Sequence, residues 1–501
     1  MPALLPPLLI RTDANSKIGT GHLMRCIALA QTWRNRGGEV FLFGEIEKKS
    51  LLNRLEEEGV QYTQLNRLHP DPEDSEAILQ WITGHCGPRG WIVIDGYQFD
   101  LRCQNALRKS GWPVMIIDDY AHHAQYNVDI LVNQNIGSEK IQYSINHDAS
   151  LLRGCQYALL RQEFRSCPKN KCTAANKKIL VTFGGSDTEN FTAKIIEALD
   201  NLPQNNIEVK IVIGATNRNN ELLKEKLKAV TYQNELLCDV GDMASLMAWA
   251  DFAISAAGST CLELAYMGVP GALIILAENQ KNLAEEMAAI GAAVNCGWQH
   301  EFVSKRFIET IDQILKDQDR LSRMREAGHK LVDGFGVLRV TNYMLKKDIV
   351  LRKVRPEDSR LIFEWANEPD ARKASFCING ISWEEHSRWF QKKLDDPDCY
   401  FLISSIANQD FGQVRLEFVD GEFCISVNLD KKFRKRGLGC LLIAKACELL
   451  VDHFGTVTFK ALIKSDNSHS VKTFQKTGFT HVGEQLINHE LAHIYKLIKT
   501  R

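Results

Sequence analysis

Ile18-Gly19-Thr20-Gly21-His22-Leu23-Met24-Arg25-Cys26 sets an imidazole beside two glycines, after a short apolar run at 8–10 and before an amphipathic segment reaching about residue 34. A strand, a glycine-bearing turn and a helix start in that order gather backbone N–H donors where an anion can sit. His22 stands at that mouth, in position to exchange a proton with a bound molecule. The N-terminal end of a helix disfavours added positive charge, so an imidazole there is biased toward its neutral, basic form. A surface histidine at a helix start fits the same pattern.

Similar turns recur downstream. Gly184-Gly185-Ser186 follows an apolar run at 179–183, and Gly258-Ser259-Thr260 follows one at 252–255; each leads into a helix-like segment. Phosphate would rest on their N–H groups, although tight strand-to-helix turns have the same composition. Glu263 falls in the first turn after Gly258-Ser259-Thr260. Its carboxylate can accept two ribose hydroxyls or simply place a favourable charge at a helix N-terminus, and the pattern does not separate the two. Near the C-terminus, Phe433-Arg434-Lys435-Arg436-Gly437-Leu438-Gly439-Cys440 is a basic, glycine-bearing turn opening the apolar segment 441–451. It suits either a diphosphate or a solvated loop.

The elements that must carry these residues alternate. Apolar runs at 8–10, 40–43, 91–94, 114–117 and 130–132 read as buried strands, separated by segments of helical periodicity. That is a doubly wound α/β domain, in which ligands bind beyond the carboxyl ends of the strands. Polar clusters lie at three of those ends: Arg11-Thr12-Asp13, Asp95-Gly96-Tyr97 and Asp118-Asp119-Tyr120. A basic stretch at 165–178 reads as a linker. Strands at 179–183, 209–213, 252–255 and 272–276 then build a second α/β domain, with the polar turn Glu278-Asn279-Gln280 after the last. At 349 the pattern changes to a strand at 350–354, a helix at 356–366 and hairpin-like runs at 400–404, 412–418 and 423–429, which is an α+β domain. The expected domains are 1–168, 177–347 and 349–501, the first two forming a cleft that could cradle a nucleotide sugar.

Composition fits this. A chain of 501 residues exceeds what one core supports, so two or three domains are expected. The balance of 61 basic and 62 acidic residues argues against a nucleic-acid or membrane partner. The 14 cysteines include no C-x-x-C pair, and Cys167 and Cys172 have no histidine beside them, so reduced thiols and no metal site are expected. The apolar start lacks a basic segment and holds three prolines, so it reads as the approach to the first strand, not a signal peptide. No run is long enough to span a membrane. A cytoplasmic location is expected.

Arg11-x-Asp13, Ile18-Gly-x-Gly-His22-x-x-Arg25-Cys26, Asp95-x-Tyr97, Asp118-Asp119, Leu131-Val-Asn133-Gln134, Leu159-Leu-Arg161-x-Glu163-Phe164, Phe183-Gly-Gly-Ser-Asp187, Gly258-Ser-Thr-x-x-Glu263 and Asn279-Gln280 form an ordered set over roughly the first 345 residues. Together they resemble the UDP-sugar hydrolases of pseudaminic acid biosynthesis, which share the two-domain glycosyltransferase B fold. The resemblance implies metal-independent hydrolysis of a UDP-linked 2,4-diacetamido-2,4,6-trideoxyhexose. It makes His22 the main catalytic residue, Tyr97 a helper and Asn279 a substrate-positioning residue. Arg11, Asp13, Gly21, Gly184, Gly185, Ser186, Gly258, Ser259, Thr260, Glu263 and Gln280 become candidate substrate or UDP contacts.

From 349 onward the chain resembles the GNAT superfamily of N-acetyltransferases. The likeness rests on Arg434-x-x-Gly437-x-Gly439, Asn467-x-x-Ser470, Trp365-x-Asn367 and His386-x-x-Trp389-Phe390. These point to the subgroup that acetylates amino groups on nucleotide-linked sugars. Acetyl-CoA as co-substrate is implied, held by Val427, Leu429, Arg434, Lys435, Arg436, Gly437, Leu438, Gly439, Asn467, Ser470 and Phe474. Many relatives carry tyrosine where Phe474 stands, and phenylalanine has no proton to give a leaving thiolate. Another group such as Tyr495 or His386, or water, would have to serve, or the domain is slow or inactive.

The expected whole is a bifunctional enzyme whose acetylated product is the substrate of its hydrolase half. A glycosyltransferase with an alcohol acceptor, and a non-catalytic sensor of nucleotide sugars and acyl-CoA, are the alternatives.

Overall fold

The computed structural model describes residues 5–65, 72–85, 89–168, 177–184, 187, 189–203, 206–214, 217, 219–346, 348–406, 409–434 and 436–501. Residues 6–341 form one compact unit and 342–501 another.

The first unit holds two parallel sheets. One has the order β3-β2-β1-β4-β5-β6-β7, with β1 Leu8–Thr12, β2 Val40–Gly44, β3 Gln61–Gln64, β4 Trp91–Asp95, β5 Val114–Ile117, β6 Ile130–Asn133 and β7 Ser150–Arg153. β1, β4, β5 and β6 are buried along their whole length, as expected of strands covered by helices on both faces. Strand order reverses between β1 and β4, whose ends are in register at Thr12 and Asp95. In an open sheet this is the place for a ligand, just beyond the strand ends.

The second sheet has the order β10-β9-β8-β11-β12-β13, with β8 Lys177–Thr182, β9 Ile207–Ile213, β10 Gln233–Cys238, β11 Phe252–Ala256, β12 Gly271–Ile275 and β13 Ala293–Trp298. Its reversal lies between β8 and β11, so the turns at Gly184 and Gly258 flank it. Val181, Ile211, Ile254 and Ile274 pack with Phe191 and Ile311 of the covering helices to form the core. Both sheets match the expected Rossmann-like, glycosyltransferase B-like class. The strands absent from the sequence reading, β3, β7, β10 and β13, lie toward the sheet edges, where half-exposed residues dilute the apolar signal. The reading of 165–178 as a linker meets a helix at Gln162–Ser166 and β8 from Lys177; residues 169–176 lie outside the described residues.

The second unit is one mixed sheet, β14-β15-β16-β17-β18-β20-β19, with β14 Ile349–Lys353, β15 Cys399–Ile406, β16 Gln409–Val419, β17 Glu422–Leu429, β18 Val457–Lys464, β19 Thr480–Ile487 and β20 Glu490–Lys499. It fits the expected GNAT-type α+β class. Among the described residues, no helix is long and apolar enough to cross a membrane.

Candidate active site

The loop after β1 is shaped by its own side chains. Asn15 Oδ1 accepts from the N–H groups of Lys17 (3.0 Å) and Ile18 (2.9 Å), and Gly19 takes φ +81°, where a side chain is strained. The chain then enters the helix Gly21–Asn35, whose first turn has no side-chain cap and no acidic residue. Its leading N–H groups therefore remain available to an anion. A Cβ on Gly21 would lie 3.5 Å from Ser259 Oγ, so the two domains of this unit approach closely there.

His22, on that helix, borders a cleft of about 950 Å³. Its Nδ1 lies 2.7 Å from Asp95 Oδ1 at the end of β4. Arg25, one helical turn on, grips Asp95 through Nε (2.6 Å) and Nη2 (2.7 Å), and Asp119 through Nη1 (2.8 Å) and Nη2 (3.1 Å). Burial pushes both carboxyls up, but the Arg25 guanidinium outweighs it and holds Asp95 and Asp119 below the ordinary carboxylate range. Tyr97 donates its hydroxyl proton to Asp119 Oδ2 (2.7 Å). Burial, with the Asp119 charge, pushes that hydroxyl far above the usual tyrosine value, so it stays neutral. From the other domain, Asn279 Nδ2 donates to the Tyr97 oxygen at 2.8 Å. His22, Tyr97 and Asn279 thus share one cleft, His22 and Tyr97 in edge contact with centroids 5.0 Å apart.

On the opposite wall, Gly258, Ser259 and Thr260 lead into the helix Thr260–Met267, whose start also lacks a side-chain cap. Gly184 borders the same space with φ +81°; Gly185 and Ser186 lie outside the described residues. Glu263 lines the cleft and accepts from Arg161 Nη2 at 3.1 Å; burial raises its carboxyl above the ordinary value despite that partner. Gln280 lines the cleft while its side-chain oxygen caps Leu276 N at 2.9 Å.

Arg11 and Asp13 stand elsewhere. Both are buried at the end of β1, outside the cleft lining, where Arg11 holds Asp74 and Asp13 and lies 5.0 Å from the Phe99 ring. Asp13 accepts from Glu45 N (2.7 Å) and from Gln98 Nε2 (2.8 Å), and Gln98 is the residue that reaches the cleft. Direct contact with a ligand in the cleft does not fit that placement, because full burial turns these side chains inward.

In the second unit, β17 and β18 pair only at Phe423–Phe459 and Cys424–Lys460, then part. Val427 and Leu429 lie on the divergent stretch of β17. Gly437, at φ +73°, opens the helix Leu438–Phe454 without a side-chain cap. A Cβ on Gly439 would lie 3.4 Å from Leu429 and 3.4 Å from Thr473, so strand end, helix start and the helix Ser468–Lys476 converge. Arg434 donates from Nε to Leu429 O (3.0 Å) and pairs through Nη1 with Glu368. Arg436 lies over the Phe433 ring, and Lys435 is outside the described residues. Asn467 Oδ1 caps Ser470 N at 3.1 Å. Phe474 is buried edge-on against Phe479. His386 is 1 % exposed and hydrogen-bonds Ser359 O through Nε2, and Tyr495 is buried on β20, so both are built into the interior.

Residues 178–334 match the family model of the glycosyltransferase family 28 C-terminal domain, and 348–480 that of the acetyltransferase (GNAT) domain. The chain carries a family 28 C-terminal domain and a GNAT domain. Both are enzyme domains. An uncharacterized protein of Methanocaldococcus jannaschii is 23% identical over 411 residues, 79% of this chain and 80% of that protein, an alignment too long to stay within either unit. The UDP-2,4-diacetamido-2,4,6-trideoxy-beta-L-altropyranose hydrolase of Campylobacter jejuni is 26% identical over 57% of this chain and 98% of its own. The acetyltransferase PseH of the same species is 28% identical over 26% of this chain and 80% of its own.

Several residues of the site carried no role in the sequence reading. Arg25, Asp95 and Asp119 were visible only as parts of motifs, and Lys17, Gln98 and Tyr120 border the cleft without having been singled out as contacts. The family 28 domain adds Val212, Val240 and Met243, apolar residues around the ends of β9 and β10. Of the pair Asp118-Asp119, only Asp119 joins the site; Asp118 turns to Tyr126 (2.7 Å) and Tyr143 (2.8 Å). Adjacent residues beyond a strand end point different ways, which spacing alone does not resolve. Among the described residues, no group of three or more His, Cys, Asp or Glu is arranged to hold a metal.

Proposed function

We propose that the chain is a bifunctional enzyme of pseudaminic, or closely related nonulosonic, acid biosynthesis. The GNAT domain would transfer acetyl from acetyl-CoA to the 4-amino group of a UDP-sugar. The first unit would then hydrolyse the resulting UDP-2,4-diacetamido-2,4,6-trideoxyhexose to UDP and free sugar. The observation that carries the hydrolase reading is His22, held by Asp95, in a cleft where Tyr97 and Asn279 meet from opposite domains. The likeness to a hydrolase and to an acetyltransferase in one chain supports pairing the two reactions.

In the hydrolytic step, water attacks the anomeric carbon and its proton passes to His22 Nε2. The bond from that carbon to the diphosphate oxygen breaks, and UDP leaves with the electron pair. Backbone N–H groups at Gly258-Ser259-Thr260 and Gly184 stabilise the departing diphosphate, with the helix N-terminus adding positive potential. Glu263 is placed for the ribose, and Val212, Val240 and Met243 offer an apolar end for the base. Asn279 and Tyr97 hold the sugar, while Gln280 shapes the turn that presents Asn279. Arg11 and Asp13 act from behind, fixing Gln98.

In the GNAT domain, acetyl-CoA would lie along Val427 and Leu429 where β17 leaves β18, its pyrophosphate on the turn Arg434–Gly439 and its arm beside Asn467, Ser470 and Phe474. The sugar amine attacks the thioester carbonyl and the C–S bond breaks; the amine gives up a proton to solvent and solvent returns one to the departing thiolate, since Phe474 has none to give. The free cysteines among the described residues fit a reducing, cytoplasmic setting.

Supplying acetyl-CoA and a UDP-4-amino sugar and following both products tests the order: free coenzyme A should appear first and UDP only afterwards. UDP release without prior acetylation would contradict it. The family 28 match also favours a second reading, sugar transfer to an alcohol. Reaction in oxygen-18 water separates them, because hydrolysis labels the anomeric hydroxyl and transfer does not.

A further inference from the structure

The turn after β4 lies at the reacting end of the cleft, since Asp95 holds His22 Nδ1 at 2.7 Å and Tyr97 receives Asn279 at 2.8 Å. Gln98 is the next residue of that turn, half-buried and bordering the cleft. A primary amide has a donating end and an accepting end, so its partner decides which one is left for a ligand. Here the partner is Asp13, whose Oδ2 accepts from Gln98 Nε2 at 2.8 Å. Asp13 is itself fixed, because its Oδ1 is ion-paired with Arg11 and accepts from Glu45 N at 2.7 Å, while Arg11 Nε reaches Asp74 at 3.0 and 3.1 Å. An ion-paired carboxylate has no hydrogen to give. The amide must therefore turn its nitrogen inward, since the opposite orientation would press two oxygens together.

Oε1 is the end that remains. It has no hydrogen-bond partner among the described residues, and it is not one of the unpartnered polar atoms buried out of reach of solvent. A Cβ on residue 96 would lie 2.6 Å from it, so Gly96 gives the amide its seat.

We propose that Gln98 is a specificity-determining residue whose Oε1 accepts the N–H of an acetamido group on the sugar. This rests on the reading of the cleft as a UDP-sugar site. An acetamido group presents its N–H in a fixed direction, whereas an acetoxy group of the same shape puts an ester oxygen in that place and sets two acceptors against each other. A free amide would adapt by flipping. Asp13 prevents that here, so the buried pair Arg11 and Asp13 turns Gln98 into a fixed acceptor that selects for a donor.

The test is calorimetry on the full chain carrying His22→Phe, in which the sugar is not hydrolysed. The ligands are the diacetamido UDP-sugar and its two analogues with acetoxy in place of acetamido at position 2 or at position 4. One analogue should bind about tenfold or more weakly than the parent, the weight of a buried acceptor left unpaired. Adding Gln98→Met, of nearly the same length but without the carbonyl, should reduce that discrimination to about twofold or less and leave UDP affinity within about twofold. Gln98→Ala serves if Gln98→Met does not fold, with the same expected loss of discrimination. Discrimination that persists in a folded Gln98 variant, or acetoxy analogues that both bind as tightly as the acetamido sugar when Gln98 is present, overturns the proposal. If the discrimination behaves as stated while the chain with His22 intact releases no UDP, the role of Gln98 stands and the assigned hydrolysis fails.

Discussion

Asn279 donates to the hydroxyl oxygen of Tyr97 at 2.8 Å, and the Tyr97 O–H donates in turn to Asp119 at 2.7 Å. Asn279 follows β12 in the second sheet and Tyr97 follows β4 in the first, so this one bond crosses the cleft and fixes which way the tyrosine proton points. Tyr97 is thereby an oriented acceptor, and its proton is not free for the leaving group. Asn279→Ala and Tyr97→Phe should each lower kcat/KM, and the double variant should cost less than the sum. A double-mutant cycle on UDP release should give a coupling of about 0.5–3 kcal/mol.

Asp95 and Asp119 are both held below the ordinary carboxylate range, so the folded state prefers them ionised. A depressed folded value contributes stability that is complete above the unfolded value of about 3.9 and is lost as pH falls through the folded one. Urea midpoints of the wild type and Asp119→Asn should therefore differ by a constant amount from neutral pH down to about 5. The difference should narrow below about pH 4 as the unfolded carboxylates protonate.

Lys17 is an exposed cation on the cleft, with no acidic partner among the described residues. A diphosphate arriving there gains from its charge. Lys17→Met should raise KM for the UDP-sugar about fivefold at low salt with little change in kcat. The gap should close near 1 M salt, where the Debye length is about 3 Å. Steady-state kinetics at two ionic strengths reads both effects.

The ion pair between Arg434 and Glu368 occupies the arginine of the basic turn in the GNAT domain. Burial raises the Glu368 carboxyl, but Arg434 and local N–H groups hold it below its ordinary value, so the pair persists at neutral pH. For Arg434 to meet a pyrophosphate it must give up this partner. Glu368→Gln should tighten coenzyme A binding severalfold, as measured by calorimetry, and Arg434→Ala should weaken it.

The fold class was legible because the central strands β1, β4, β8 and β11 each carry a short apolar run and end in glycine or polar turns. Edge strands were not: β3 and β10 expose much of their surface and read as loop, and β19 has the same character. The third sheet was followed only as far as β17, although β18 alternates buried and half-buried residues as a strand should. His22 was legible from its glycines and its position before a helix. Arg25 was legible only as a member of the His22 motif, without a role, since an arginine one turn into a helix is ordinary in sequence; the fold shows two buried carboxylates converging on it from different strand ends. Arg11 and Asp13 carried a strong motif signal but sit behind the site, because spacing along a strand end does not show which side chains turn inward.

The most direct test is His22→Phe, assayed for UDP release from the diacetamido UDP-sugar beside UDP binding by calorimetry. UDP affinity should stay within about threefold of wild type, while UDP release falls by on the order of a hundredfold to ten-thousandfold, the span of a general base. Release at the wild-type rate in a variant that binds UDP normally would contradict the assignment of His22 as the base.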